Sequence, residues 1–310
     1  MSAYAEYTTL DDLRKSSEGA QLNISGNAAD PFLLQLIREV SAHIDDSSNR
    51  TFAPRVATQH YDAASPGIWS MSGLYYAGGR AGDVFQSKTG GYAYGRVLRV
   101  DADDLLEVTS LTNGDGSAIA AANYLLYPTN VYPKEELRLK QSSGIAWTPD
   151  GDGNYEQVIT LVGIFGYHTN YTGHAWGGCG TVANVGGIND TVTTYTSSAV
   201  AGVEGGMLLK IDSEYLYVQS VAGVTITVER GVNGSTAAAH VVGSVVSYWR
   251  PIFAVQRIAR MGVAALWNLR ANPEGKQVSV NGVTFSTPTS VMHWVDNELE
   301  QAGIQRTGLG

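Results

Sequence analysis

The stretch GGMLLKIDSEYLYVQSVAGVTITVERGVNGSTAAAHVVGSVVSYW, residues 205–249, decides the fold class of this chain. In it, short runs of alternating apolar and polar residues are separated by Gly, Asn and Asp, which favour turns. The stretch therefore predicts a small antiparallel β unit and not a catalytic α/β core. Its predicted strands are residues 207–211, 215–218, 224–228 and 243–249, with a turn at 231–234.

Helical patterns flank the β-rich part of the chain. Apolar residues recur at helical spacing in residues 30–49, where Asp30 can cap the helix, and again in residues 251–272. Thr9 begins a capping motif and predicts a short helix near the start of the sequence. Two further signals are a hairpin centred on Asn281-Gly282 and an amphipathic helical segment in residues 290–303.

Between these helices, residues 51–167 have a β pattern with Gly-rich punctuation. We expect an α+β fold in which N- and C-terminal helices form a discontinuous helical domain. It carries a β-sandwich or barrel-like middle domain and a small inserted antiparallel β domain. The predicted parts are 1–52 (N-terminal helical part), 53–170 (β-rich middle domain with a long loop, 63–94), 171–249 (inserted small β domain) and 250–310 (C-terminal helix, hairpin and tail packing with the N-terminal helices).

Composition narrows the possible partners of this chain of 310 residues. Its formal net charge of −9 argues against a protein that wraps nucleic acid, because that affinity depends on Lys and Arg. The single cysteine, Cys179, excludes a disulfide within the chain and fits a reducing compartment. No apolar run approaches the length of a membrane span, and the first residues lack the pattern of a signal peptide. We expect a soluble protein assembled inside the cell, without a membrane partner.

The best candidate cluster for catalysis or metal binding is His168, His174 and Cys179. Zinc sites use four ligands, usually in closely spaced pairs, and here the gaps are wider and a fourth ligand is missing. We therefore predict no metal and no cofactor, and interpret residues 166–180 as a loop after a strand, with hydrogen-bonding histidines and aromatic anchors.

Acidic residues offer two further chemical interpretations. Residues 150–154 resemble the start of a calcium loop, but the twelfth position, where such a loop has Glu, is Leu161. Carboxylates at 101–107, such as Asp103 and Glu107, leave glycoside hydrolysis open, because their separation in space is not visible in a sequence. Neither a nucleophile elbow nor a phosphate-binding loop is present, so we predict that the protein is not an enzyme.

The order of several motifs along the chain resembles that of head-to-tail adaptor proteins (neck or connector proteins) of tailed bacteriophages. The inserted β unit, with its residues 212–214 and 229–240, is similar to a small domain that recurs in virion proteins of these phages. The loop 63–94 and the segment 182–203 resemble these proteins less than the rest of the chain does. The other motifs that carry the resemblance are the helix that ends before 50–52, then 104–116, 124–130, 137–139, Trp147 and 162–168.

The resemblance implies a ring, commonly a dodecamer, seated beneath the portal in the neck of the virion after assembly in the host cytoplasm. Its partners would be further copies of itself, the portal protein and a downstream neck or tail protein. DNA would pass through the channel as cargo, without sequence-specific binding.

The resemblance also suggests contact residues. The C-terminal residues His293, Trp294 and Arg306 are candidates for docking on the portal, although Trp294 packing against the protein's own helices is an equal alternative. Tyr and Gly in the long loop suit adaptable contacts, because aromatic residues are favoured in interface cores. The candidates for ring or neck contacts are Trp69, Tyr75, Tyr76, Tyr92 and Tyr94.

Two alternatives to the adaptor remain open. The first keeps the protein in the virion, as a stopper, tail-completion protein or minor capsid component, and the copy number per particle separates these positions. The second is a glycan-binding or glycan-cleaving tail protein, suggested by the aromatic residues and by Asp103 and Glu107. Glycan binding, or an activity lost on mutation of these carboxylates, would support the second alternative.

Overall fold

The protein is an α+β protein with several antiparallel sheets, in a computed structural model. Contacts divide the chain into two compact units, one of Met1–Ala53 with Thr172–Gly310 and one of Pro54–Tyr171. Almost all of the predicted inserted domain belongs to the first unit, together with the helices. The residues that the structure describes are 5–16, 29–63, 93–94, 96–100, 104–270 and 277–306.

The secondary structure elements are numbered here in chain order. The helices are α1 (Leu10–Lys15), α2 (Asp30–Ser48), α3 (Tyr171–His174), α4 (Phe253–Arg270) and α5 (Pro288–Gln301). The strands are β1 (Arg55–Tyr61), β2 (Ala93–Tyr94), β3 (Val97–Arg99), β4 (Leu105–Thr112), β5 (Tyr124–Tyr127), β6 (Glu136–Leu139), β7 (Ile159–Phe165), β8 (Trp176–Thr181), β9 (Thr194–Thr196), β10 (Leu208–Ile211), β11 (Glu214–Ala222), β12 (Thr225–Arg230), β13 (Val245–Trp249), β14 (Val278–Val280) and β15 (Val283–Phe285).

The helix starts follow local capping chemistry in two cases and depart from it in one. The Thr9 side chain accepts a hydrogen bond from the Asp12 backbone N–H and caps α1, as the sequence predicts. Thr287 forms a capping box with Ser290 at the start of α5. Asp30, predicted as a cap, is instead inside α2, where it forms an ion pair with Arg14 in α1.

The helices α2, α4 and α5 form one bundle, although α2 precedes the other two by about two hundred residues of sequence. Gly262 of α4 permits close approach, because a Cβ there would lie 3.1 Å from Val40 Cγ1 and 3.4 Å from Val295 Cγ2. A polar contact joins the same helices, since His43 Nε2 lies 2.8 Å from Asp296 Oδ1. The N- and C-terminal segments therefore share one apolar core.

The six-stranded sheet of the first unit has the order β8-β13-β10-β11-β12-β9, and all neighbours are antiparallel. Its two edge strands, β8 and β9, precede the stretch 205–249 in sequence and lie within the predicted inserted domain, 171–249. One face of the sheet forms the core of this β unit. That core consists of Cys179, Val182, Ile188, Tyr195, Val203, Leu209, Ile211, Leu216, Val218, Ile226, Val228 and Val246.

The opposite face of the same sheet is aromatic and contacts the helical part of the unit. Tyr217 donates a 2.6 Å hydrogen bond to Glu6 Oε1, and the Trp249 indole N–H donates to the Phe52 carbonyl at 2.9 Å. Residues Glu214 to Val218 of β11 are consequently all buried, because each face of this strand has a packing partner. Because Tyr alternates with Leu and Val along β11, Leu216 and Val218 pack in the core of the β unit while Tyr217 faces the helical part.

The second unit contains two antiparallel sheets around one apolar core, with orders β1-β7-β4 and β2-β3-β6-β5. Asn113 fixes the turn after β4: its amide donates to the Ala146 carbonyl and its oxygen accepts from the Thr148 N–H. Two X–Pro peptide bonds in this unit, Tyr127-Pro128 and Tyr132-Pro133, are cis. The buried residues of the core are Tyr61, Ala63, Leu98, Val100, Leu105, Leu111, Ile119, Leu137, Leu139, Trp147, Ile159, Leu161 and Phe165.

The hairpin β14–β15 confirms the Asn-Gly prediction. Asn281 and Gly282 have φ angles of 48° and 82°, and a two-residue turn of this kind requires a positive φ at both positions.

Among the helices that the structure describes, none combines the length and the apolar character needed to cross a bilayer.

Candidate functional site

A buried carboxylate, Glu214, organises one end of the six-stranded sheet. It is the first residue of β11, follows the short turn after β10, and is completely buried. Arg230, at the end of β12, donates to both of its carboxylate oxygens, through Nε at 2.6 Å and Nη2 at 2.7 Å. This two-pronged geometry is available to Arg and not to Lys.

Arg230 also holds the backbone around it. Its remaining N–H groups donate to the carbonyl oxygens of Asn189 at 2.9 Å, Val192 at 2.8 Å and Ala238 at 2.6 Å. All five N–H groups of the guanidinium therefore have acceptors within the fold. The side chain is only 5% exposed, so these bonds are made away from water.

The loop between β12 and His240 closes onto the same carboxylate. The backbone N–H groups of Gly231 and Ala238 donate to Glu214 at 3.1 and 3.0 Å. His240 Nε2 lies 2.9 Å from Glu214 Oε2, and its Nδ1 lies 2.8 Å from Asp212 Oδ2. Glu214, Arg230, His240 and Asp212 together are called the buried charge network below.

The electrostatics of this network favour an ionised Glu214. Burial alone would raise the pKa of its carboxyl group, because it disfavours the charged form. The hydrogen bonds from Arg230, Ala238 and His240, and the charge of Arg230, outweigh burial and hold the pKa of Glu214 below its ordinary value. The carboxylate is therefore charged at neutral pH and keeps the loop in place.

Directly after His240, the chain exposes apolar side chains at the same end of the sheet. Three valines that follow His240 are each more than half exposed, and so is Val185, in the loop that pairs with His240 through Ile188. Contiguous exposed apolar residues indicate an interaction surface more often than single ones do. The valine rim consists of Val185, Val241, Val242 and Val245.

Backbone pairing brings the two segments of the valine rim together. Val182 donates to the Ser244 carbonyl at 2.9 Å, and Gly243 donates back to the Val182 carbonyl at 2.8 Å. Ile188 and His240 exchange two hydrogen bonds of 2.8 Å. The loop that carries Val185 is thus joined to the segment that carries Val241, Val242 and, at the start of β13, Val245.

Gly187 is a structural requirement of this pairing. Its φ angle is +82°, and a Cβ at this position would lie 2.3 Å from the His240 carbonyl oxygen. Neighbouring Gly186 has a similar φ of +83° but open space around it. Of these two glycines, Gly187 alone combines a positive φ with a close backbone contact.

The predicted portal-docking residues lie in the C-terminal part of the first unit. His293 is exposed on α5, and the adjacent Trp294 is half-buried. The Trp294 ring contacts Phe285 of β15 edge-on, with centroids 5.8 Å apart, so it packs against the protein's own hairpin. The backbone N–H of Arg306 donates to the Ser48 carbonyl at the end of α2.

The predicted ring contacts fall mostly outside the described residues. This is the case for Trp69, Tyr75, Tyr76 and Tyr92, whereas Tyr94 is in β2 and only its backbone is described.

The cluster predicted from His168, His174 and Cys179 is divided between the two units. His168, in the second unit, is buried and accepts a hydrogen bond from the Asn170 N–H at 3.0 Å. His174 and Cys179 belong to the first unit. The Cys179 thiol faces the Val246 carbonyl at 3.4 Å in the sheet core, and burial raises its pKa to about 11. Within the described ranges, no group of three or more His, Cys, Asp or Glu residues is placed to hold a metal ion.

The acidic candidates have local contacts. Asp150 accepts hydrogen bonds from the backbone N–H groups of Asp152 and Asn154 and shapes its own turn. Glu107 accepts a hydrogen bond from the Tyr171 hydroxyl at 3.3 Å, and Asp103 lies outside the described residues.

Sequence reasoning missed the buried charge network as a structural unit. A signal for it was present, because Glu214 adjoins an otherwise apolar strand and a buried charge needs partners. Comparison with known proteins found no match for this chain, neither among family models, nor among curated proteins, nor among solved structures.

Proposed function

We propose that this protein is a structural subunit of a tailed-bacteriophage neck, an adaptor that forms a ring between the portal and the next neck or tail component. DNA would pass through the channel of the ring without sequence-specific contacts. The order of motifs along the sequence suggests this function, and the valine rim is the structural observation that favours an assembly role.

The rim suits assembly because it is both apolar and held in a defined conformation. The buried charge network fixes the loop that ends at His240, and the exposed Val241 and Val242 follow directly. A surface that is ordered before binding loses less conformational entropy when a partner binds. A ring also needs two different surfaces on each subunit that meet around a closed rotation, and we assign the rim to one of them.

The position of the protein in the virion is tested by quantitative mass spectrometry of intact particles from the source phage. The measurement compares its copy number with that of the portal protein. A ratio near one copy per portal subunit supports a neck ring. A large excess would place the protein in the shell or tail tube, and a clear deficit would favour a stopper or minor component. Absence from the particle would refute a virion role.

The test of the rim is a matched pair of variants, Val242→Asp and Val224→Asp. Val224 is also an exposed valine of the same sheet, but it lies in the β11–β12 turn at the opposite end. We expect Val242→Asp to abolish incorporation into particles and Val224→Asp to leave it unchanged, with equal thermal stability of both free proteins. Equal incorporation of both variants would exclude the rim from the assembly contacts.

A further inference from the structure

A lysine ammonium group fills a ring of main-chain carbonyl oxygens in the second unit. Lys134 is only 4% exposed, although lysine is rarely buried. Its Nζ donates to the carbonyl oxygens of Pro128 at 2.8 Å, Thr129 at 3.0 Å and Val131 at 2.9 Å. An ammonium group has three N–H donors, so each one has an acceptor.

The same ammonium group lies over an aromatic ring. Its nitrogen is 4.0 Å from the centroid of the Tyr132 ring, within the range of a cation–π interaction. In the described part of the chain, Lys134 forms no ion pair with a carboxylate. Burial lowers the pKa of Lys134, because it disfavours the charged form. The three carbonyl dipoles and the ring replace part of the hydration that the ammonium group has lost.

Carbonyl oxygens converging on one point are the coordination chemistry of a monovalent cation. Such rings replace the hydration shell of potassium in selective pores, and ammonium is a cation of similar size and charge. We propose that residues 128–133 form a monovalent-cation site whose native occupant is the tethered ammonium group of Lys134.

Occupation of this site determines the conformation of the loop. Three carbonyl groups turn inward toward Nζ, while Thr129, Asn130 and Val131 are exposed to solvent. The Lys134 backbone N–H donates to the Leu105 carbonyl at 2.6 Å, which anchors the occupant to β4. Without a cation, the three carbonyl groups would face one another and the loop would open.

The test compares Lys134→Ala, which removes the cation and leaves room, with Lys134→Met, which removes the charge but keeps most of the volume. Hydrogen exchange is measured at the backbone amides of positions 134 and 135, which donate to the Leu105 and Tyr127 carbonyls. The solvents are ammonium or potassium chloride and tetramethylammonium chloride at equal ionic strength. Because hydrogen bonds to charged groups contribute about 1.5–3 kcal/mol, we expect exchange to rise about ten- to hundredfold in both variants.

Ammonium or potassium should restore protection in Lys134→Ala, but not in Lys134→Met, and should leave the wild type unchanged. Unaltered exchange in Lys134→Ala, or equal rescue by tetramethylammonium, would overturn the proposal.

A measurement on the wild-type protein decides the question if the variants do not fold. In protein labelled with ¹⁵N-lysine and with ¹³C at the carbonyl carbons, the Lys134 ammonium protons should exchange slowly and show couplings to the carbonyl carbons of residues 128, 129 and 131. The exposed Lys15 is the internal control, with rapidly exchanging protons. A Lys134 signal that behaves like that of Lys15 would refute the site.

Discussion

Replacement of Glu214 by Gln keeps the shape of the side chain but removes the charge at the centre of the buried network. The carboxylate accepts five hydrogen bonds, from two nitrogens of Arg230, the N–H groups of Gly231 and Ala238, and His240 Nε2. Gln presents one carbonyl oxygen and one amide group. The NH₂ group of Gln is itself a donor and would face the N–H donors that now bind the carboxylate. Arg230 would also keep a buried charge without a counter-charge.

The expected loss of stability follows from this geometry. Glu214 is fully buried and Arg230 is 5% exposed, so solvent screening does not reduce the effect. Breaking a buried ion pair by removing one partner costs about 3–5 kcal/mol, and we expect Glu214→Gln to reach this range. The control is Glu229→Gln, on the same β12 strand but only half-buried, for which we expect a change of about 0.5 kcal/mol or less.

The assay is urea unfolding of both variants, combined with hydrogen exchange of residues 229–245. Local exchange is needed because two compact units need not unfold in one transition. Faster exchange should extend from the Glu214 contacts into the segment that carries Val241 and Val242. If Glu214→Gln is no more destabilising than Glu229→Gln, the network does not hold the loop, and the argument for an ordered rim fails.

Three further predictions concern single residues. Gly187→Ala should destabilise the protein by at least about 1 kcal/mol more than Gly186→Ala in urea unfolding. Both replacements strain a positive φ, but of the two positions only Gly187 lies against a backbone oxygen, so equal losses of stability would contradict this. Burial raises the pKa of Glu6, so the folded state binds its proton more tightly than the unfolded chain does. As pH falls from neutrality through the folded pKa, the wild type should therefore gain stability relative to Glu6→Gln, and a melting temperature that depends on pH in the same way for both proteins would exclude this. Cys179 should resist thiol reagents in the native protein and react in denaturant, and rapid native labelling would show that it is accessible.

Elements whose signals are local were predictable from the sequence. The helix α2, the capping by Thr9 and the Asn281-Gly282 turn each depend on residues within a few positions of one another. The strand β8 was missed, because its Trp-Gly-Gly-Cys-Gly-Thr sequence has the composition of a loop. Its partner β13 supplies the pairing, which no local pattern reveals.

The candidate site was less predictable than the fold. The Glu214 carboxylate meets Arg230 and His240 from positions sixteen and twenty-six residues away, and the strand order that joins them is a tertiary property. The exposure of Val241 and Val242 also contradicts the usual burial of valine. A valine pair following a buried histidine could not be recognised as a surface feature without the structure.

The bundle formed by α2, α4 and α5 has a consequence for folding during synthesis. The apolar face of α2 emerges from the ribosome long before its partner helices exist, so it must remain exposed or transiently covered while the β units are made. The entropic cost of bringing α2 together with α4 and α5 is only a little larger than for a segment of intermediate length, because this cost grows slowly with length. Formation of the bundle is nevertheless slow, since its contacts are non-local. The 54–171 unit can therefore complete its core first, and the bundle seals last, when α5 has been translated.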